Sequence, residues 1–253
     1  MKLLGLLGGM SWTSTAEYYR LLNEEVARRC DGLHSARVLL HSVDFAEIAA
    51  LQREGRWDEA GELLARAAWG LETAGAEAVV LATNTMHKVA PQIEAALNVP
   101  FLHIVDAVGS AVQAAGLGRV GLLATAFTME QRFYHDRLAE RHGLEVIVPE
   151  AAERAEVHRI IFDELCRNVI REESCETYRR VMAGLVGRGG PDPGLHGDHA
   201  ACRAGRHERA GVRHDRAACA GGRGVRAGRV GVGRGRATSP SVGLSSARVF
   251  IQT

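Results

Sequence analysis

Two short stretches gather the side chains and backbone groups from which a centre for a small zwitterion could be built. Thr83-Asn84-Thr85-Met86-His87-Lys88 follows an apolar run, and Gly5-Leu6-Leu7-Gly8-Gly9-Met10-Ser11 joins another apolar run to a helical pattern. Thr83, Asn84 and Thr85 can each donate and accept hydrogen bonds, which suits the carboxylate and ammonium of an amino acid. The same string also reads as the start of a helix capped by Asn84 or Thr85, with His87 and Lys88 as surface residues. The glycine string lacks the full G-x-G-x-x-G spacing, so it carries no dinucleotide fingerprint. It reads as a tight turn between strand and helix, or as a helix start whose backbone N–H groups hold an anion such as a carboxylate.

These strings sit where a parallel α/β architecture would place a ligand. Lys2–Leu7, Ala36–His41, Ala78–Leu81 and Pro100–Ile104 are continuous apolar runs, as expected of buried parallel strands. Ser14 followed by Glu17 predicts a capping box opening a helix over Thr15–Arg29. Asp44 predicts the cap of a helix through Leu51, Asp58 the cap of one through Glu72, and Gly75 its stop. After Gly116–Gly118 the alternation restarts, with strands at Arg119–Ala124 and Leu144–Val148 and helices at Thr128–His142 and from Glu150 to about Leu185. Alternating strand and helix means α/β with parallel sheets, and the restart divides the chain into a first lobe, 1–104, and a second, 105–186. In open parallel sheets ligands bind beyond the carboxyl ends of the strands, which is where Met10 and Thr83 fall.

The bulk composition hides a division. The 253 residues carry a net charge of +1, yet residues 1–186 hold 19 Lys+Arg against 26 Asp+Glu, and residues 187–253 hold 12 Arg, no Lys and 4 acids. No stretch approaches 18 apolar residues, and the N-terminus lacks a basic region and a cleavage signal, so no membrane partner is expected. Cys30, Cys166, Cys175, Cys202 and Cys219 show neither a disulfide framework nor zinc spacing, which predicts reduced thiols and a cytoplasmic location. From Gly187 to Arg236 no period of 2 or 3.6 survives. That segment reads as an Arg/Gly-rich disordered tail able to meet nucleic acid through charge, or as something other than the protein's own tail.

Taken together the strings resemble the aspartate/glutamate racemase family. They are GLLGGMSWTST at 5–15, LHSARVLLHSVDF at 33–45, Gln52, TNTMHKVA at 83–90, PFLHIVDA at 100–107, VGLLAT at 120–125, TMEQRFY at 128–134 and ERAEVHRIIFDEL at 153–165. The resemblance covers nearly all of residues 1–186. It implies two pseudo-symmetric α/β lobes with an amino-acid substrate between them, two facing thiols that remove and return the α-proton, and no cofactor or metal. It implies that Met10, Gln52, Asn84 and Thr85 hold substrate, that no nucleic acid takes part, and that a homodimer is compatible with the fold. The family's first catalytic cysteine precedes Asn-Thr, and Thr83 stands there instead. A thiol ionises near 8.5 and an alkyl hydroxyl nearer the roughly 15.7 of water. That difference is worth on the order of 9–10 kcal/mol, so Thr83 needs an activating neighbour to act as a base. The family includes members with threonine here, which implies an asymmetric mechanism.

The family's second cysteine, in a Gly-Cys-Thr-Glu string, is expected near position 195, where the chain has Gly194-Leu195-His196-Gly197-Asp198. Shifted forward by one nucleotide from Gly194, the genetic code permits ACTEITLLVGPDDTSVPVFDTTALHAQ. The cysteine falls across the Leu195 and His196 codons, and VPVFDTT falls on those of Arg209 to Asp215. Each shifted codon leaves only its middle base free, and Arg/Gly/Ala/His richness is what a GC-rich gene gives out of frame. The sequence therefore reads as a racemase gene whose product from about residue 187 is out of frame and whose activity is impaired by the lost thiol. The alternative is a non-catalytic amino-acid-binding homologue. An Arg/Gly nucleic-acid binder rests on the tail alone.

Overall fold

A computed structural model describes residues 1–30, 32–188 and 250–252. The expectations for the 187–253 segment, including the displaced cysteine, therefore lie almost wholly outside the described residues.

The first sheet consists of β1 (Leu4–Gly8), β2 (Val38–Ser42), β3 (Ala78–Leu81) and β4 (Phe101–Leu102), all parallel, in the order β2-β1-β3-β4. Between the strands run α1 (Trp12–Cys30), α2 (Phe45–Arg53), α3 (Trp57–Thr73), a 3-10 turn at Thr85–Val89 and α4 (Ala90–Ala95). The apolar face of α3 (Leu64, Ala67, Ala68, Leu71) packs with Leu7, Val79 and Leu81 of the sheet and with Ile48 of α2 into one buried core. Asp44 caps α2 as its position predicts, its carboxylate accepting from the Ala46 N–H at 3.0 Å. Two of the expected caps differ. The first helix opens at Trp12, not after Ser14, because Ser11 already supplies the cap: its Oγ accepts from the Ser14 N–H and its carbonyl from Thr15. Asp58 lies inside α3, which starts one residue earlier with no side-chain cap.

The second sheet has parallel strands β5 (Arg119–Leu123), β6 (Glu145–Ile147) and β7 (Phe250–Gln252) in the order β6-β5-β7. Around it lie α5 (Ile104–Ala114), α6 (Ala126–Glu130), α7 (Arg132–His142), α8 (Ala151–Asp163), a 3-10 turn at Leu165–Arg167 and α9 (Glu172–Gly187). A separate core of Val105, Val112, Val120, Leu122, Tyr134, Leu138, Ile160, Val181 and Leu185 fills this half. The single helix expected over Thr128–His142 is two, broken where Gln131 is extended at φ −94°, ψ 147°. The helical stretch from Glu150 is broken at Asn168, whose φ of 57° is left-handed, a conformation that asparagine tolerates better than most residues.

Among the described residues no helix is long and apolar enough to cross a membrane, and no His/Cys/Asp/Glu cluster could hold a metal ion. Among the described residues Cys30 and Cys166 are free thiols.

Candidate active site

The two candidate strings meet because β1 and β3 are parallel neighbours in register, Leu7 opposite Leu81, and the Ala82 N–H donates to the Leu7 carbonyl at 2.8 Å. Both segments then leave the sheet at its carboxyl end. On the β1 side, Gly8 and Gly9 are demanded by space. A Cβ on Gly8 would lie 2.4 Å from the Thr15 side chain, and one on Gly9, at φ +95°, would lie 2.2 Å from the Val43 carbonyl oxygen. The Gly9 N–H is already taken by Thr15 Oγ1 at 2.8 Å. The tight-turn reading therefore accounts for these two glycines, and what the turn delivers is Met10 and Ser11, both buried beyond the carboxyl end of β1.

On the β3 side, Thr83 is half-buried and its carbonyl is bonded to His87 Nδ1 at 2.7 Å. Among the described residues its hydroxyl has no hydrogen-bond partner, so no neighbour is placed to activate it. Asn84 is buried at the cap position of the 3-10 turn but makes no capping bond, its Oδ1 instead accepting from Tyr134 OH at 3.4 Å. Thr85 Oγ1 lies 2.8 Å from Thr125 Oγ1 and 3.1 Å from Thr128 Oγ1, which are themselves 3.2 Å apart. Gln52, on α2, reaches under the turn. Its Nε2 contacts Met86 Sδ at 2.9 Å, while its Oε1 is buried with no hydrogen-bond partner.

The turn thus lies at a junction between the two halves. Thr125 and Thr128 flank the start of α6, and Tyr134 comes from α7. Aromatic pairs close the same junction: Trp57 meets Phe127 edge-on at 5.4 Å, and Phe45 stacks on Phe162 at 5.8 Å. Lys88, half-buried, sets its ammonium 3.8 Å above the Trp57 ring, and burial lowers its pKa. Cys166 lies against Ser11, and burial raises its thiol pKa while the hydrogen bond with Ser11 pulls it the other way.

The structure places Gln52, Thr83, Asn84 and Thr85 around one turn and Met10 on the adjoining strand end. The chain matches the Asp/Glu/Hydantoin racemase family model over residues 7–192. It belongs to that family. A solved structure from Yersinia pestis, of a protein described as an Asp/Glu racemase candidate, is 52% identical over 75% of this chain and 82% of its own, with a TM-score of 0.68. An aspartate racemase homologue from Pyrococcus horikoshii is 34% identical over 75% and 82%, with a TM-score of 0.61. The aspartate racemase of Picrophilus torridus shares the fold at 19% identity, over 74% and 77%, with a TM-score of 0.57. The family and these neighbours support an isomerase-type, racemase function.

Thr125, Thr128, Tyr134 and His87 are the residues to which sequence reasoning gave no role. All four lie inside strings that carried the resemblance, but a threonine after a strand announces only polarity. Which hydroxyl it will meet depends on how the halves face each other.

Proposed function

We propose that this chain derives from a cofactor-independent racemase of aspartate or glutamate in which Thr83 faces a thiol supplied by the second lobe. The observation that carries the amino-acid reading is the Gln52 Oε1, a buried acceptor with no partner beside the Thr83–Thr85 turn. Leaving such an atom unpaired costs about 1–3 kcal/mol, and a bound ammonium would satisfy it. In this reading Met10, Asn84 and Thr85 complete the hold on substrate, Asn84 and Thr85 through hydrogen bonds and Met10 by enclosing it. The lobes are residues 1–104 and 105–186, the location is cytoplasmic, and residues from about 187 are an out-of-frame reading of the family's closing segment. The displaced Cys-Thr-Glu string and the composition change at 187 support that last point.

Removing the α-proton needs a base on one face of the α-carbon and an acid on the other. The hydroxyl of Thr83, without an activating neighbour among the described residues, is the weaker of the two, and the chain lacks the Gly-Cys-Thr-Glu thiol. This favours, as the second reading, an amino-acid-binding homologue that has lost its chemistry. Calorimetric titration of the 253-residue chain with D- and L-aspartate and glutamate separates the readings from a nucleic-acid role: binding of an amino acid is expected. A chain that ignores all four but retains single-stranded nucleic acid would refute both.

A further inference from the structure

His87 is buried, although it reads from sequence as a surface residue, and its two ring nitrogens face backbone groups from different elements. Nδ1 lies 2.7 Å from the Thr83 carbonyl oxygen, and Nε2 lies 3.2 Å from the Ile104 amide nitrogen at the start of α5. The amide can only donate, so Nε2 accepts. The carbonyl can only accept, so the proton sits on Nδ1. One tautomer satisfies both contacts, and the imidazolium would set a donor against the Ile104 N–H. The ring packs edge-on against His103 at 4.3 Å and tilted beside Phe101 at 5.8 Å. Burial, followed by repulsion from His103, holds the His87 pKa down at about 3.

The Thr83 carbonyl shares one rigid peptide plane with the Asn84 amide. A bond that fixes the direction of that carbonyl therefore fixes the plane, and with it the two Cα positions from which Thr83 and Asn84 project. We infer that His87 is a positioning residue: by donating from Nδ1 it orients the Thr83–Asn84 peptide plane, and so aims both side chains at the substrate. The inference rests on the amino-acid-binding reading above, and His87 itself touches no reacting atom.

Two amide substitutions separate this role from core packing. In His87→Asn the side-chain amide occupies the place of Nδ1, keeping a donor to Thr83 and leaving the Ile104 N–H unpaired. In His87→Gln it reaches the place of Nε2, keeping the acceptor for Ile104 and losing the bond to Thr83. The 253-residue chain and both variants are titrated with aspartate, melted, and examined by NMR at the Thr83 carbonyl carbon. Both variants should lower Tm by similar amounts. His87→Gln should also weaken aspartate binding about tenfold, the worth of one hydrogen bond, and shift the Thr83 resonance. His87→Asn should recover most of the affinity and hold the resonance in place. Equal weakening in both variants, in step with Tm, would overturn the inference. If the unsubstituted chain binds no aspartate, the substrate reading fails, and the Thr83 resonance decides alone: unmoved in His87→Gln, it rejects the positioning role.

Discussion

Three threonine hydroxyls, Thr85, Thr125 and Thr128, form a closed triangle in which each can donate once and accept once. All three are buried, and Thr85 comes from the first half of the molecule while the other two come from the second. Thr128→Val keeps the shape and removes one corner, leaving a neighbour without its match. A loss of about 1–3 kcal/mol in urea unfolding is expected. Aspartate affinity should change less, because no substrate contact is assigned to Thr128. Asn84→Ala should differ in affinity. Its carbonyl accepts from the buried Tyr134 hydroxyl at 3.4 Å, so stability should also fall by about 1–3 kcal/mol, but here binding of both enantiomers weakens about tenfold as well, through a lost substrate hydrogen bond. If the two variants weaken binding equally, the division between scaffold and site drawn here is wrong.

At the scale of elements, α5 joins the two halves, and its start is built from imidazoles. His103 caps it, Nδ1 accepting from the Val105 N–H at 3.2 Å, while His87 receives the Ile104 N–H. Both rings are held neutral in the folded protein, His87 at about 3 and His103 at about 4, chiefly by burial. A free imidazole titrates near 6.5, so the folded pKa values are depressed and the unfolded chain binds more protons in between. Stability is therefore complete above about pH 6.5 and declines as pH falls toward 4. Asp106, which Arg137 holds down at about 2, adds a loss only below its ordinary 3.8. His103→Asn keeps a side-chain acceptor for the cap without a titrating ring, so its unfolding free energy should decline less steeply between pH 6.5 and 4. An unchanged slope would contradict this account. The strand positions were legible in sequence because parallel strands are continuous apolar runs, and Ala78–Leu81 falls where expected. Neither break in the second-half helices was foreseen, because no glycine or proline stands at Gln131 or Asn168 to announce it. The Thr83–Thr85 turn was visible as a cluster of polar residues after a strand. The buried state of His87 was not, since it depends on an amide donor 17 residues away.

For the whole molecule, the proposed chemistry depends on what each lobe brings to the junction. The first lobe offers Thr83, a hydroxyl with no activating partner among the described residues, and the shifted reading frame would restore a thiol from the second. With unlike groups on the two faces of the α-carbon, the two directions of proton transfer cannot be kinetically equivalent. The enantiomer whose α-proton points at the thiol should exchange it with deuterated solvent readily, because a thiol ionises near neutral pH. Its mirror image must yield the proton to Thr83 and should exchange far more slowly. In the frame-restored protein Thr83→Cys should narrow that difference, since it puts an ionisable group on both faces. The 253-residue chain lacks the Gly-Cys-Thr-Glu thiol and should exchange neither enantiomer, even where it binds aspartate. Proton NMR of D- and L-aspartate in deuterated buffer, with no added cofactor, reads all three proteins in one series. Equal exchange of both enantiomers by the frame-restored Thr83 protein would rule out the asymmetric mechanism. Exchange by the 253-residue chain would show that the second base is not the displaced cysteine but a group that the chain already holds.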